Sequence, residues 1–249
     1  MSSWRFTIFA EGPYPTEDRG YFVELWSLLA RRCGVVDSLR IVGFCKAELV
    51  ALAPPPKWST NYEPLDIKIA NESSGTENLI IAFDMEPKRD KKAKLCRPEE
   101  MAKYLEALSQ SERLPSRFRE AASSLHKFYK SQPKPLPRAP GRPPRKPLEI
   151  IAMEPMFEAL LLADEAGVKE VLKPGTTRSW PSFRSRSMKP DRDILTPAIQ
   201  LADVQVRRKV RGTFETNKHG WAEYILRHLP EDSPAWRHGM VERLRLLLQ

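Results

Sequence analysis

The run Leu79-Ile80-Ile81-Ala82-Phe83 carries no polar residue at any position and stops at Asp84. A strand with one wet face alternates, so an unbroken apolar run of this length fits a strand covered on both faces. That is the situation of a parallel sheet with helices above and below. Leu148 to Met153, apolar except for Glu149, reads as another such run that stops at an acid, Glu154. The chain opens with Trp4, Phe6 and Ile8 on one face of a period-two pattern, followed by Phe9-Ala10 and the turn Glu11-Gly12-Pro13. Leu39 and Ile41 to Cys45 read as a further strand. Between these strands lie helical patterns. Thr16 is placed as an N-cap for a helix through Phe22, Leu25, Trp26 and Leu29, which Gly34 stops. Residues 98 to 129 form two helices divided by Pro115. Strands alternating with helices predict an α/β fold, a single domain over residues 1–249 with a mainly parallel sheet and a helical C-terminal part.

Beyond the last strand, Phe157 to Ala166 is expected as a buried helix closed by Gly167, and Lys169 to Lys218 as a loop-rich basic stretch. Helices over Gly220 to Leu229 and Ala235 to Leu248 finish the chain, the last one started by Asp232-Ser233-Pro234. One segment breaks the domain. Pro133 to Pro147 holds seven prolines and five cations, Lys134, Arg138, Arg142, Arg145 and Lys146, with no acid. Such a segment lacks the donors to join a sheet and is expected as an extended surface arm.

The longest apolar runs are five residues, against the roughly 20 that span a bilayer, so no membrane crossing is expected. Met1 to Ala10 lacks the apolar stretch of a secretory signal. Three cysteines without CxxC spacing argue against a disulfide scaffold or zinc site and for a reducing cytoplasm. Four histidines are scattered, and no GxxxxGK[ST] loop occurs, so hydrolysis of ATP by this chain is not expected. The formal charge of +9 favours a polyanionic partner, nucleic acid above all.

The chemistry is expected where the strands stop. Glu11, Asp84 with Glu86, and Glu154 all follow apolar runs. Ligands of open α/β sheets bind outside the carboxyl ends of parallel strands. Carboxylates gathered there repel one another until a cation binds, and ligation by oxygen alone selects Mg²⁺ or Mn²⁺ over zinc. Glu154 and Glu158 stay open as alternatives for completing the site. Arg184 and Arg186, interleaved with Ser182, Ser185 and Ser187, fit either phosphate contact or a basic loop.

Four patches carry a resemblance. Glu11-Gly12 followed by Thr16-Glu17, Asp84-Met85-Glu86, the segment Ile151 to Asp164, and Asn217-Lys218 with Ser233-Pro234-Ala235-Trp236 together resemble the Toprim fold. They are most similar to its bacterial OLD-like and RloB-like branch, many of whose members are encoded among phage-defence genes. The resemblance implies Glu11 as general base or metal ligand, Asp84 and Glu86 as metal ligands, and Lys218 as the lysine that stabilises developing phosphate charge. Tyr14-Pro15 are two extra residues in the first motif, and Glu86 stands where the fold normally has Asp. Two functions follow. One is a Mg²⁺-dependent nuclease acting on DNA or RNA in phage defence, its basic segments 133–147 and 169–218 holding the backbone. The other is a Toprim-derived subunit that binds nucleic acid or a partner ATPase without cutting. Nucleotidyl transfer is a third, since primases share the acidic cluster.

Overall fold

Alternation along the first strand divides the molecule into two cores. The structure, a computed structural model, describes residues 4–12, 19–35, 37–45, 65–72, 75–84, 97–131, 146–153, 159–175, 179–183 and 191–249. In β1 (Trp4–Gly12), Phe6, Ile8 and Ala10 enter one core and Phe9 enters the other. The same split recurs in β3 (Thr76–Asp84), where Ile80 and Ala82 oppose Leu79 and Ile81, and in β4 (Leu148–Met153), where Ile151 and Met153 oppose Leu148 and Ile150. With β2 (Leu39–Cys45) these strands form one sheet in the order β2-β1-β3-β4, every neighbouring pair parallel. An α/β fold with a doubly covered parallel sheet is therefore what the apolar runs dictated.

One face is covered by α1 (Arg19–Arg32) and the C-terminal half: α5 (Ala159–Leu162), α6 (Glu165–Leu172), α7 (Thr196–Gln200), α8 (Val204–Lys209), α9 (Lys218–His228) and α10 (Gly239–Leu248). The other face is covered by α2 (Leu65–Glu72) and the hairpin of α3 (Arg97–Gln110) and α4 (Ser116–Ser131), which Pro115 divides as expected. Gly34 ends α1 with a φ of +88°, a left-handed turn that a side chain would resist.

The structure corrects several expectations. Helix 157–166 is not continuous and Gly167 does not close it. Instead α5 ends at Leu162, Asp164 caps α6 by accepting from the Gly167 N–H at 2.8 Å, and Gly167 lies inside the first turn of α6. A Cβ at Gly167 would collide with the Asp164 carboxylate and sit 2.8 Å from Leu229 Cδ2, so close packing is what requires glycine. The stretch 169–218 is more regular than a loop. It holds the end of α6, a π turn at Asp191–Leu195, α7 and α8, anchored by buried Ile194, Leu195, Ile199 and Val206. The final helix is two elements, a 3₁₀ turn at Pro234–Arg237 and then α10, with Ser233 capping the turn. Asn71 and Glu72, polar as they are, end α2, and β3 starts at Thr76.

Of the basic arm, Lys146 and Pro147 are described. Pro147 does join the sheet's hydrogen bonding, because proline loses the donor but keeps the acceptor. Its carbonyl accepts from the Leu79 N–H at 2.7 Å. Among the described residues no helix is long and apolar enough to cross a membrane.

Candidate active site at the carboxyl edge of the sheet

The strand order reverses direction between β1 and β3. From β1 the chain steps outward to β2, then returns to the far side of β1 for β3 and continues away to β4. Such a switch point opens a crevice at the carboxyl ends of the two strands, where loops leave in opposite directions. Those two ends carry Glu11-Gly12 and Asp84. Ala10 pairs with Ala82 across β1 and β3, and Asp84 pairs with Met153 across β3 and β4. The register thus brings Glu11 and Asp84 to the ends of adjacent strands.

Glu11 lies on the face of Phe9 and opposite Phe44 of β2, and is 7% exposed. Close by is a second buried charge that sequence reasoning missed. Lys68 of α2, 8% exposed, donates from Nζ to the Gly43 carbonyl at 3.3 Å, and Gly43 pairs with Ala10, the residue before Glu11. A buried ammonium beside a strand end supplies positive potential in a low-dielectric setting. Leu65, Ile67 and Ile69 alternate with Asp66 and Lys68, a pattern that reads as a strand, so no local signal marks this helix or its buried lysine.

Lys218 reaches the same edge by a different route. Because β1 and β2 are parallel, α1 must carry the chain back from the carboxyl edge to the amino edge. Helix α9 runs alongside α1 in the same direction: Glu24 meets Arg227 at 3.2 Å, and Arg32 meets Glu231, just past α9, at 3.3 Å. The N-termini of both helices therefore point to the carboxyl edge, where their dipoles favour anions. Lys218 opens α9. Its Nζ lies 3.1 Å from Asp191 Oδ2 on the π turn, an acid also absent from the sequence reading. Asn217 caps the helix by accepting from the Gly220 N–H at 3.0 Å.

The remaining predicted residues divide by position. The backbone of Asp84 ends β3, while its side chain lies outside the described part. Glu86, Glu154, Glu158, Lys134, Arg138, Arg142, Arg145, Arg184 and Arg186 lie outside the described residues, as do Thr16 and Glu17. Lys146 is placed and exposed, with its Nζ 5.4 Å from the Phe6 ring centre, but it precedes β4 at the amino edge. The strand's six residues, about 20 Å, separate it from the acid-bearing edge. The structure does not bring it to Glu11.

Among the described residues no three or more His, Cys, Asp or Glu side chains gather as a metal centre. The register places Glu11 and Asp84 at the ends of adjacent strands, and carboxylate oxygen is a donor type that fits Mg²⁺ or Mn²⁺. Cys33 has no part in this. Burial pushes its thiol up to about 11, partly offset by Arg245, and Sγ points at the Val241 carbonyl. Asp164 and Ser233, from two of the resembling patches, meet in the core instead, where the Ser233 hydroxyl donates to the Asp164 carboxylate. Compared with protein-family models, curated proteins and solved structures, the chain matches none.

Proposed function

We propose that the chain is a metal-dependent phosphodiesterase of Toprim type that cuts DNA or RNA at the carboxyl edge of its sheet. One observation carries this reading. Glu11-Gly12 and Asp84 end neighbouring parallel strands at the switch point, and the start of α9 with Lys218 stands at the same edge. A divalent cation held by Asp84 and Glu11 would neutralise phosphate charge and make water more acidic. Glu11, shielded from bulk solvent, is suited to take the proton of an attacking water. Lys218 is suited to hold a phosphate oxygen, with Asp191 fixing the direction of its long side chain. Glu86 and either Glu154 or Glu158 belong to the proposed ligand set as its remaining members.

A second reading is a subunit that binds nucleic acid or a partner ATPase without cutting. It is favoured by the Lys218–Asp191 ion pair, which engages the ammonium that phosphate would need. Either reading suits a cytoplasmic phage-defence system. The test is a panel of single- and double-stranded DNA, RNA and tRNA with Mg²⁺ or Mn²⁺, comparing wild type with Asp84→Ala. Cleavage by wild type alone is expected. Equal cleavage by both proteins removes the assignment, and salt-sensitive binding with no cleavage selects the second reading.

A further inference from the structure

Among the described residues Arg32, Arg40, Lys218, Arg227, Arg243 and Arg245 each meet a carboxylate. A run of four at the end of α8 does not. Arg207, Arg208 and Lys209 at the end of α8, and Arg211 just after it, are all exposed and form no ion pair among the described residues. Acids nearby leave them bare. Asp203 is engaged at the opposite end of α8, accepting from the Gln205 N–H at 2.7 Å. Glu215 is the sole acid between positions 204 and 222, and it pairs with none of the four among the described residues.

This basic corner is held rigidly. Val206 and Val210 are buried on its inner side. Asn217 donates from Nδ2 to the Arg211 carbonyl at 2.8 Å, and Trp221 donates from Nε1 to the Gly212 carbonyl at 3.2 Å. Gly212 turns the chain with a φ of +84°, and Thr213 and Thr216 hydrogen-bond each other across the turn. Asn217 and Trp221 belong to the start of α9, so the four cations keep a fixed relation to Lys218.

We infer that Arg207, Arg208, Lys209 and Arg211 form a docking surface for the phosphate backbone of a nucleic acid, leading it toward the start of α9. Four like charges within five residues repel one another and attract a condensed counterion atmosphere, and a polyanion relieves both. An acidic protein is the poorer match. Protein interfaces centre on buried apolar and aromatic anchors, and the one large hydrophobic exposed on α8 is Val204. The inference shares the nucleic-acid partner with the proposed function but does not need cleavage.

The test measures binding of short duplex DNA and of RNA of the same sequence to the full chain, in chelator, from about 50 to about 200 mM salt. The comparison is with a variant carrying Arg207→Gln, Arg208→Gln, Lys209→Gln and Arg211→Gln. On duplex DNA the slope of log K against log salt should fall by about 3 to 4, at roughly 0.9 for each lost phosphate contact. Lys146→Gln should lower it by no more than about 1. Should the fourfold variant lose helicity by circular dichroism, the pair Arg208→Gln and Arg211→Gln should lower the slope by about 2. An unchanged slope in a folded variant overturns the inference, as does equal binding of poly-glutamate to the wild type and to the fourfold variant. Absence of metal-dependent cleavage alongside the slope change removes the nuclease and leaves this surface standing.

Discussion

Glu149 and Glu11 are two nearly buried carboxylates on one sheet, at opposite edges, and the molecule treats them differently. Glu149 begins β4 at the amino edge and is 1% exposed. One of its oxygens accepts from the Ile150 N–H at 2.8 Å, and the other lies 3.2 Å from Arg243 of α10. Arg243 also donates to the Ile150 carbonyl, so this acid ties the last helix to the last strand. Glu11 ends β1 at the carboxyl edge, where helices begin instead of end and the strand order reverses. Burial alone does not set the role of an acid. Under the proposed function Glu11 is the reactive one, because the switch point and the starts of α1 and α9 lie at its edge.

The contrast can be broken at several places. The largest effect on stability belongs to the amino edge. Arg243→Ala removes a cation 3.2 Å from the buried Glu149 and its bond to the Ile150 carbonyl, and should cost about 3–5 kcal/mol in denaturant unfolding. At the carboxyl edge, Lys218→Gln should instead spare the fold, since its partner Asp191 is part-exposed, and shift stability by no more than about 1 kcal/mol. Its effect should appear as a cleavage rate lowered about 10²- to 10³-fold, which single-turnover kinetics would read. A rate loss in Arg243→Ala that tracks residual cleavage in Lys218→Gln would erase the distinction.

Gly167→Ala comes next. The added methyl strikes the Asp164 cap and Leu229, and the expected loss is about 1–3 kcal/mol despite the better helix propensity of alanine. A shift in denaturant midpoint without a change in slope would confirm it.

The smallest effect is in pH dependence, where two groups act with opposite sign. Burial lowers the His238 pKa from its ordinary 6.5, and the neutral ring accepts from the Met240 N–H to cap α10. Its contribution is complete above pH 6.5 and is lost as pH falls through the lowered value. Burial, reinforced by a hydrogen bond with Glu24, raises Glu223 from 4.5 despite Arg227. The folded chain holds that proton more tightly, so stability declines as pH rises from 4.5 through the raised value. Melting temperatures across this range should slope upward with pH in Glu223→Gln and downward in His238→Asn.

These edges were unequally legible in the sequence. Strand ends were readable because an apolar run that stops at an acid changes character within one residue, as at Phe83-Asp84. Pro115 and Gly34 punctuate locally and carried their meaning into the structure. The break before α6 was not readable, because a partner 69 residues away, Ser233, fixes the Asp164 cap while Gly167 looks locally like a stop. Lys68 and Asp191 were missed for the same reason, since a burial and an ion pair assign their roles and no local pattern does. The helices of 191–209 do carry a local signal, Ile194-Leu195 and Ala198-Ile199 four apart with no cation between Arg192 and Arg207, inside a stretch whose overall basic excess reads as loop.

Titration of Mn²⁺ into the chain, followed by the spin-resonance signal of the free ion, tests the central claim most directly. Saturable binding is expected in wild type, retained in Lys218→Gln and lost in Asp84→Asn. Equal binding by Asp84→Asn and wild type, or no saturable binding in wild type, would contradict it.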